Sequence, residues 1–214
     1  MKKHLSILLG AALLFSCKSN LQIGLPYFND PDFTPVWLSR TDDRFNKLHI
    51  IPPFSLTDQN GRVVTNKTTA GKIYVANFFF TRCGNICPKM TVNMHRVADV
   101  FKNDSSVIFI SHSVTPDYDN TRVLKKYEAD KNIDDPNWHL LTSSRETIYK
   151  LAREGYFADA ATKSAISSQF LHSENFILVD QRGHIRGVYN GTIDLEVNNL
   201  VRHIKILKQE TKRF

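Results

Sequence analysis

The chain has 214 residues, 42% of them hydrophobic and 23% charged, a balance expected of one globular domain with extensions. Its formal charge is +7, but the basic residues are scattered, with mild density only from Lys205 to Arg213. No stretch interleaves arginines with aromatics, so a nucleic-acid partner is not expected; a solvated helix end beside an anionic membrane surface accounts for the tail.

Lys2 and Lys3 precede an apolar run from Leu5 to Phe15 that stops at Ser16-Cys17. A short basic head, an apolar core of this length and a small residue before the break describe an export signal rather than a membrane span. Leu14-Phe15-Ser16-Cys17 resembles the lipobox of bacterial lipoproteins, which implies cleavage before Cys17, lipidation of that cysteine, and a protein exported and lipid-anchored to a bacterial membrane with its domain facing the periplasm. Residues 1–16 are therefore expected to be signal peptide and 17–46 a tether, Pro-, Asn- and Asp-rich, in which the aromatics of Leu25 to Phe28 and Phe33 to Trp37 suggest that part packs on the domain as a short hairpin strand. The domain itself spans 47–210 and a tail 211–214.

Within the domain, His49 to Leu56 followed by Asp58 to Arg62 reads as a short strand and an Asn60-Gly61 turn, Val63-Val64-Thr65 as the return strand, and Thr68 to Gly71 as a turn into the next strand. Ile73 to Phe80 is an apolar, aromatic and β-branched run, the composition of a strand covered on both faces. A helix follows from about Asn85 or Ile86, with Met90, Met94, Val97, Ala98 and Phe101 on its inner face, so the two methionines are core rather than ligands. Val107 to Ser111 is the next buried strand, 120–131 a helix with Val123, Leu124 and Tyr127 inward, and Trp138 to Leu141 a short strand. Ser143 or Ser144 caps a helix to about Arg153; Phe176 to Asp180 and Ile185 to Tyr189 form a closing antiparallel pair, and Leu195 to Lys208 is the terminal helix. This α/β order, β-α-β before β-β-α, is thioredoxin-like: a central mixed sheet flanked by helices, with an N-terminal hairpin extension.

Cys83 falls on the break that ends the central strand, and Cys87 lies four residues on with Pro88 behind it, where a proline in the first helical turn is well tolerated. Setting Cys17 aside for lipid leaves this as the one pair, in a compartment where disulfides persist. A disulfide closing so short a loop would add little stability, so a redox or metal role is the stronger reading. At a strand's C-terminal end beside a positive helix N-terminus, both thiols are placed to act as thiolates. The loop before the Phe176 strand carries His172 where thioredoxin-like reductases carry a proline, which in this fold sets the imidazole opposite the sulfurs. Two thiolates and one imidazole make a soft three-coordinate site suited to Cu(I) and able to take Cu(II) with an extra ligand; zinc, the competitor, usually demands a fourth.

The run Phe78 to Met90 (FFFTRCGNICPKM) resembles the signature of the Sco/SenC copper-chaperone family, and Ile110 to Tyr127, Asn137 to Thr142 and His172 to Asp180 follow that family's pattern in order. The resemblance, from roughly Ile51 to Lys208, implies a membrane-tethered domain that holds copper through Cys83, Cys87 and His172. It further implies work in the assembly of the binuclear copper centre of cytochrome c oxidase, as metal donor, as thiol reductant, or both. Partners implied are the copper-bearing oxidase subunit or another copper chaperone, and the bilayer through Cys17; a monomer is the default. Gly84 stands where the family has proline, Leu171 where it has aspartate before the histidine, and Thr115 where it has the aspartate of Val-Asp-Pro. Of the remaining histidines, His112 sits at a strand end on the cysteines' edge of the sheet and is the auxiliary-ligand candidate, His95 lies on the solvated side of its helix, and His49, His139, His184 and His203 are turn or surface residues. A carrier rather than an enzyme is expected. The alternative is a metal-free thiol–disulfide oxidoreductase in which one cysteine attacks a substrate disulfide and the other resolves it, with Cys83–Cys87 as the oxidised form.

Overall fold

The computed structural model describes residues 24–39, 41–158 and 173–212. Its centre is β5 (Ile73–Phe79), every residue of which is buried. Ile73, Val75 and Phe79 enter one core, and Tyr74, Ala76 and Phe78 the other, so an unbroken apolar run becomes a strand with two wet-proof faces. On one side β5 pairs in parallel with β6 (Val107–Ser113), which pairs in parallel with β7 (Trp138–Thr142). On the other it pairs antiparallel with β8 (Asn175–Val179), and β8 with β9 (Ile185–Asn190). The expected thioredoxin-like mixed sheet is thus present.

Two hairpins widen it. β3 (Ser55–Asp58) and β4 (Val63–Thr65) join at β7, and β1 (Tyr27–Phe28) and β2 (Pro35–Val36) join at β9, giving the order β2-β1-β9-β8-β5-β6-β7-β3-β4. Gly61, at φ 75°, makes the β3–β4 turn in the left-handed region that glycine enters freely.

One face carries α2 (Ile86–Val100), α3 (Thr121–Asp130) and α5 (Asp194–Lys212), the other α4 (Arg145–Lys150) and a π-helical turn at Leu151–Gly155. Met90 and Met94 are at most 1% exposed and pack in the core under α2, as their helical spacing predicted. A four-residue helix, α1 (Asn66–Thr69), stands where the sequence suggested only a turn; a Thr65–Thr68 capping box holds it.

The N-terminal arm packs firmly. Tyr27, Phe45 and Leu48 form a small core of their own, and a 3-10 turn at Asp43–Lys47 carries Phe45 into it. Arg186, 3% exposed, reaches from β9 to donate to the carbonyls of Leu25 and Pro26 and to pair with Asp180 and Glu210. Its guanidinium lies 4.0 Å from the Tyr27 ring centroid.

Candidate metal and redox site

β5 ends at Phe79, and the chain turns at once: the Cys83 N–H donates to the Phe80 carbonyl at 3.2 Å. Helix α2 then starts at Ile86, one residue after the cap position Asn85. Asn85 makes no side-chain capping bond; the Cys87 N–H instead donates to Cys83 Sγ at 3.4 Å. A helix start leaves N–H groups without internal partners, and here a sulfur takes the acceptor's place. Pro88 sits in the same first turn, where no donor is lost.

This arrangement makes the two free thiols unequal. Cys83 is partly exposed, and Cys87 is buried with 4% exposure. Burial pushes the Cys83 thiol up, but hydrogen bonds from Cys87 and from the backbone N–H groups of Asn85, Cys87 and Ile86 together outweigh it and hold it below its ordinary value. Burial, and then the bond to Cys83, push Cys87 up to about 12. Cys83 is therefore the accessible and more readily ionised of the two, and Cys87 keeps its proton. Beneath Cys87, the Tyr127 hydroxyl donates to Thr91 Oγ1 at 2.9 Å, which donates to the Cys87 carbonyl at 2.9 Å. These supports could be read from the sequence only as a buried tyrosine on a helix face.

Phe80, residues 82–86 and Glu174 line a hollow of about 460 Å³. Glu174 heads β8, which runs antiparallel to β5, so the segment entering β8 arrives at the cysteine end of the sheet. The turn after β9 braces it: the Gly191 N–H donates to the Glu174 carbonyl at 2.6 Å, Asn190 donates to Glu174 Oε2 at 3.0 Å, and Asn93 of α2 donates to the Gly191 carbonyl at 2.8 Å. His172 lies two residues before Glu174 and, like Cys17, falls outside the described residues.

The structure thus brings the two cysteines together, Cys83 in the wall of an open hollow and Cys87 buried beside it with its N–H on Cys83 Sγ. A pair of convergent sulfurs fits a soft monovalent ion such as Cu(I). Among the described residues no group of three His, Cys, Asp or Glu could hold a metal, so a third protein donor would have to enter from outside them.

His112 corrects an expectation. It faces the core opposite to Cys87, stacked 5.1 Å from Phe78 and 5.3 Å from Tyr156. It is fully buried, and neither ring nitrogen has a partner. The reason is strand parity: Ser111 and Ser113 point to the α2 face and His112, between them, to the other, so it is no auxiliary ligand. His95 is half-buried, its Nε2 bonded to the Lys131 carbonyl at 3.0 Å, rather than solvated. His139 and His184 are built in, against Asp58 and the His49 carbonyl respectively.

With this geometry in place, the comparisons with known proteins are specific. The SCO1/SenC family model matches residues 42–207. A SCO1/SenC family lipoprotein from Bacillus anthracis superposes with a TM-score of 0.65 at 32% identity, over 75% of this chain and 95% of that one. BsSco, described as having a disulfide switch and as belonging to the Sco family of cytochrome c oxidase assembly proteins, gives 0.64 at 29%, over 75% and 94%. Bradyrhizobium japonicum ScoI with copper bound gives 0.58 at 26%, over 73% and 98%.

The class defined by the fold and the dithiol is that of thioredoxin-like proteins with a Cys-x3-Cys pair at the β5–α2 junction. The particular family is SCO1/SenC, to which the chain belongs.

Proposed function

We propose that this protein is a copper carrier of a bacterial envelope, anchored by lipid on Cys17 and facing the periplasm, that delivers copper to the copper-bearing subunit of cytochrome c oxidase or exchanges it with another copper chaperone. Copper is its cargo, held by the sulfurs of Cys83 and Cys87 and the imidazole of His172. The organisation follows as a signal at 1–16, an anchoring arm at 17–46, the working domain at 47–210 and a short tail. The observation that carries the reading is the junction itself: two neighbouring thiols of unequal acidity, the accessible one in the wall of a hollow also lined by Glu174, two residues from His172. The copper-bound and oxidase-assembly relatives supply the cargo and the target.

The residues' roles differ. Cys83, accessible and inclined to ionise, meets an incoming ion or partner first. Cys87 yields its proton only when a cation replaces it, so loading releases that proton. Oxidation of the pair joins Sγ to Sγ, removes two electrons and two protons, and leaves no thiolate for copper; loading therefore depends on redox state. The same asymmetry suits a second reading favoured by the disulfide switch of BsSco. There Cys83 would attack a substrate disulfide, expelling one thiolate into the partner, and Cys87 would displace the partner's sulfur to close Cys83–Cys87.

Titration of the reduced protein with Cu(I) against a competing chelator separates the two. A carrier takes one ion per chain and loses at least tenfold in affinity in His172→Ala. A plain reductase binds copper weakly and reduces disulfides equally well with and without His172.

A further inference from the structure

Beyond the sulfur ligands, one buried group controls how the cysteine loop leaves the sheet. Asp119, fully buried, accepts four hydrogen bonds. Thr81 N–H reaches Oδ2 at 3.1 Å and Thr81 Oγ1 reaches Oδ1 at 2.6 Å. Ser113 Oγ and Thr115 Oγ1 reach Oδ2 at 2.6 and 2.9 Å. Thr81 is two residues from Cys83 and lies beyond the last β5–β6 pair, Phe79 with Ser113, so the parallel ladder no longer holds it. The 114–119 loop takes over. Val114 N–H donates to the Phe79 carbonyl at 2.9 Å, Asp119 grips Thr81 by backbone and side chain, and the Arg82 guanidinium lies 3.8 Å from the Tyr118 ring centroid.

The following residues have little else to steady them. Gly84 has open space where a side chain would be, and the Asn85 cap makes no side-chain bond. The direction in which Cys83 Sγ meets the α2 N–H groups is accordingly set from the Thr81 end. The carboxylate is the one acceptor there that takes four donors at once, a load no neutral side chain carries as well.

We infer that Asp119 is a positioning residue of the dithiol: by clamping Thr81 to the end of β6 it aims Cys83 Sγ at the first turn of α2. The inference rests on the reading that Cys83 and Cys87 are the working thiols, and not on the identity of their cargo. Without the clamp, Cys83 Sγ loses its alignment with the Cys87 N–H, 3.4 Å away in the reduced pair, and a reduced form that loses this bond shifts the equilibrium toward the disulfide.

The test uses the full chain equilibrated in glutathione buffers, with melting followed in parallel. Asp119→Ala is expected to move the dithiol–disulfide equilibrium constant about tenfold toward the disulfide, about 30 mV for this two-electron couple. Asp119→Asn restores most of it, because the Thr81 hydroxyl can reverse to accept from the amide while the remaining oxygen keeps its three donors. Ile148→Ala, a cavity in the opposite core, lowers the melting temperature and leaves the potential unchanged. An unchanged potential in Asp119→Ala, or an equal shift in Ile148→Ala, overturns the inference. Should Asp119→Ala not fold, Thr81→Ala, which removes the Oδ1 donor alone, decides: a shift of about threefold in the same direction supports the clamp, and none overturns it. A wild-type protein that takes no Cu(I) refutes the copper reading and leaves this result standing.

Discussion

At the scale of single residues, the two cysteines are chemically alike in sequence and unlike in place. Cys83 receives the helix's first N–H groups, while Cys87 lies in the core beside Tyr127 and Phe79. Alkylation of the reduced protein at pH 7 should therefore fall on Cys83 at least tenfold faster than on Cys87, with mass spectrometry of the peptides as the readout. Cys87→Ser should keep the fast reaction and Cys83→Ser abolish it. His112 makes a second prediction. Burial pulls it down to about 3, whereas an unfolded histidine titrates near 6.5. The unfolded chain thus binds a proton that the folded one refuses, so this contribution to stability is complete above pH 6.5 and is lost as pH falls toward 3. Between pH 6.5 and 5 the loss should be about 2 kcal/mol. Urea midpoints at both pH values check it, and His112→Leu should remove that portion of the acid sensitivity.

At the scale of elements, the arm and β9 depend on Arg186. Its guanidinium is buried with two carboxylates and two carbonyls as partners, and its loss would leave Asp180 without its guanidinium and the Leu25–Pro26 backbone undocked. Arg186→Met is expected to cost about 3–5 kcal/mol by denaturant unfolding, as breaking a buried ion pair commonly does. It should also open residues 24–48 to protease. The sequence showed this segment as Pro- and Asp-rich, with aromatics that suggest docking but not what they dock against. Its docking needs a single arginine 160 positions away from the carbonyl it binds, a relation without local periodicity. The aromatics of Leu25 to Phe28 and Phe33 to Trp37 suggested a docked hairpin strand, and β1 pairs with β2 there; the exact pairs did not show in the sequence. The π-helical turn at Leu151–Gly155 was not, since the residues there fit an ordinary helix equally well.

At the scale of the whole molecule, the arm and the dithiol occupy opposite ends of the sheet. Phe28 pairs with Ile185, Ile185 with Val179 and Val179 with Tyr74, near the start of β5, whereas Cys83 follows its end, about 17 Å further along a strand of this rise. Removing residues 1–48 should lower the melting temperature by several degrees while leaving the alkylation rate of Cys83 within twofold. In the proposed carrier, copper taken by Cys87 displaces that thiol's proton. Apparent Cu(I) affinity should therefore rise with pH, about tenfold per unit near neutrality, in chelator competitions at pH 6.5 and 7.5.

Composition and spacing placed the paired cysteines at a strand-to-helix junction, ordered the strands and helices, and put the methionines in the core. Each of these rests on contiguous composition or a fixed period, which a linear chain carries openly. Which cysteine ionises more readily, which sheet face His112 takes, and the grip of Asp119 on Thr81 emerge only from three-dimensional packing. Those outcomes depend on burial and on partners brought together from distant positions: Thr81 and Asp119 are 38 residues apart, and no local pattern records that they meet.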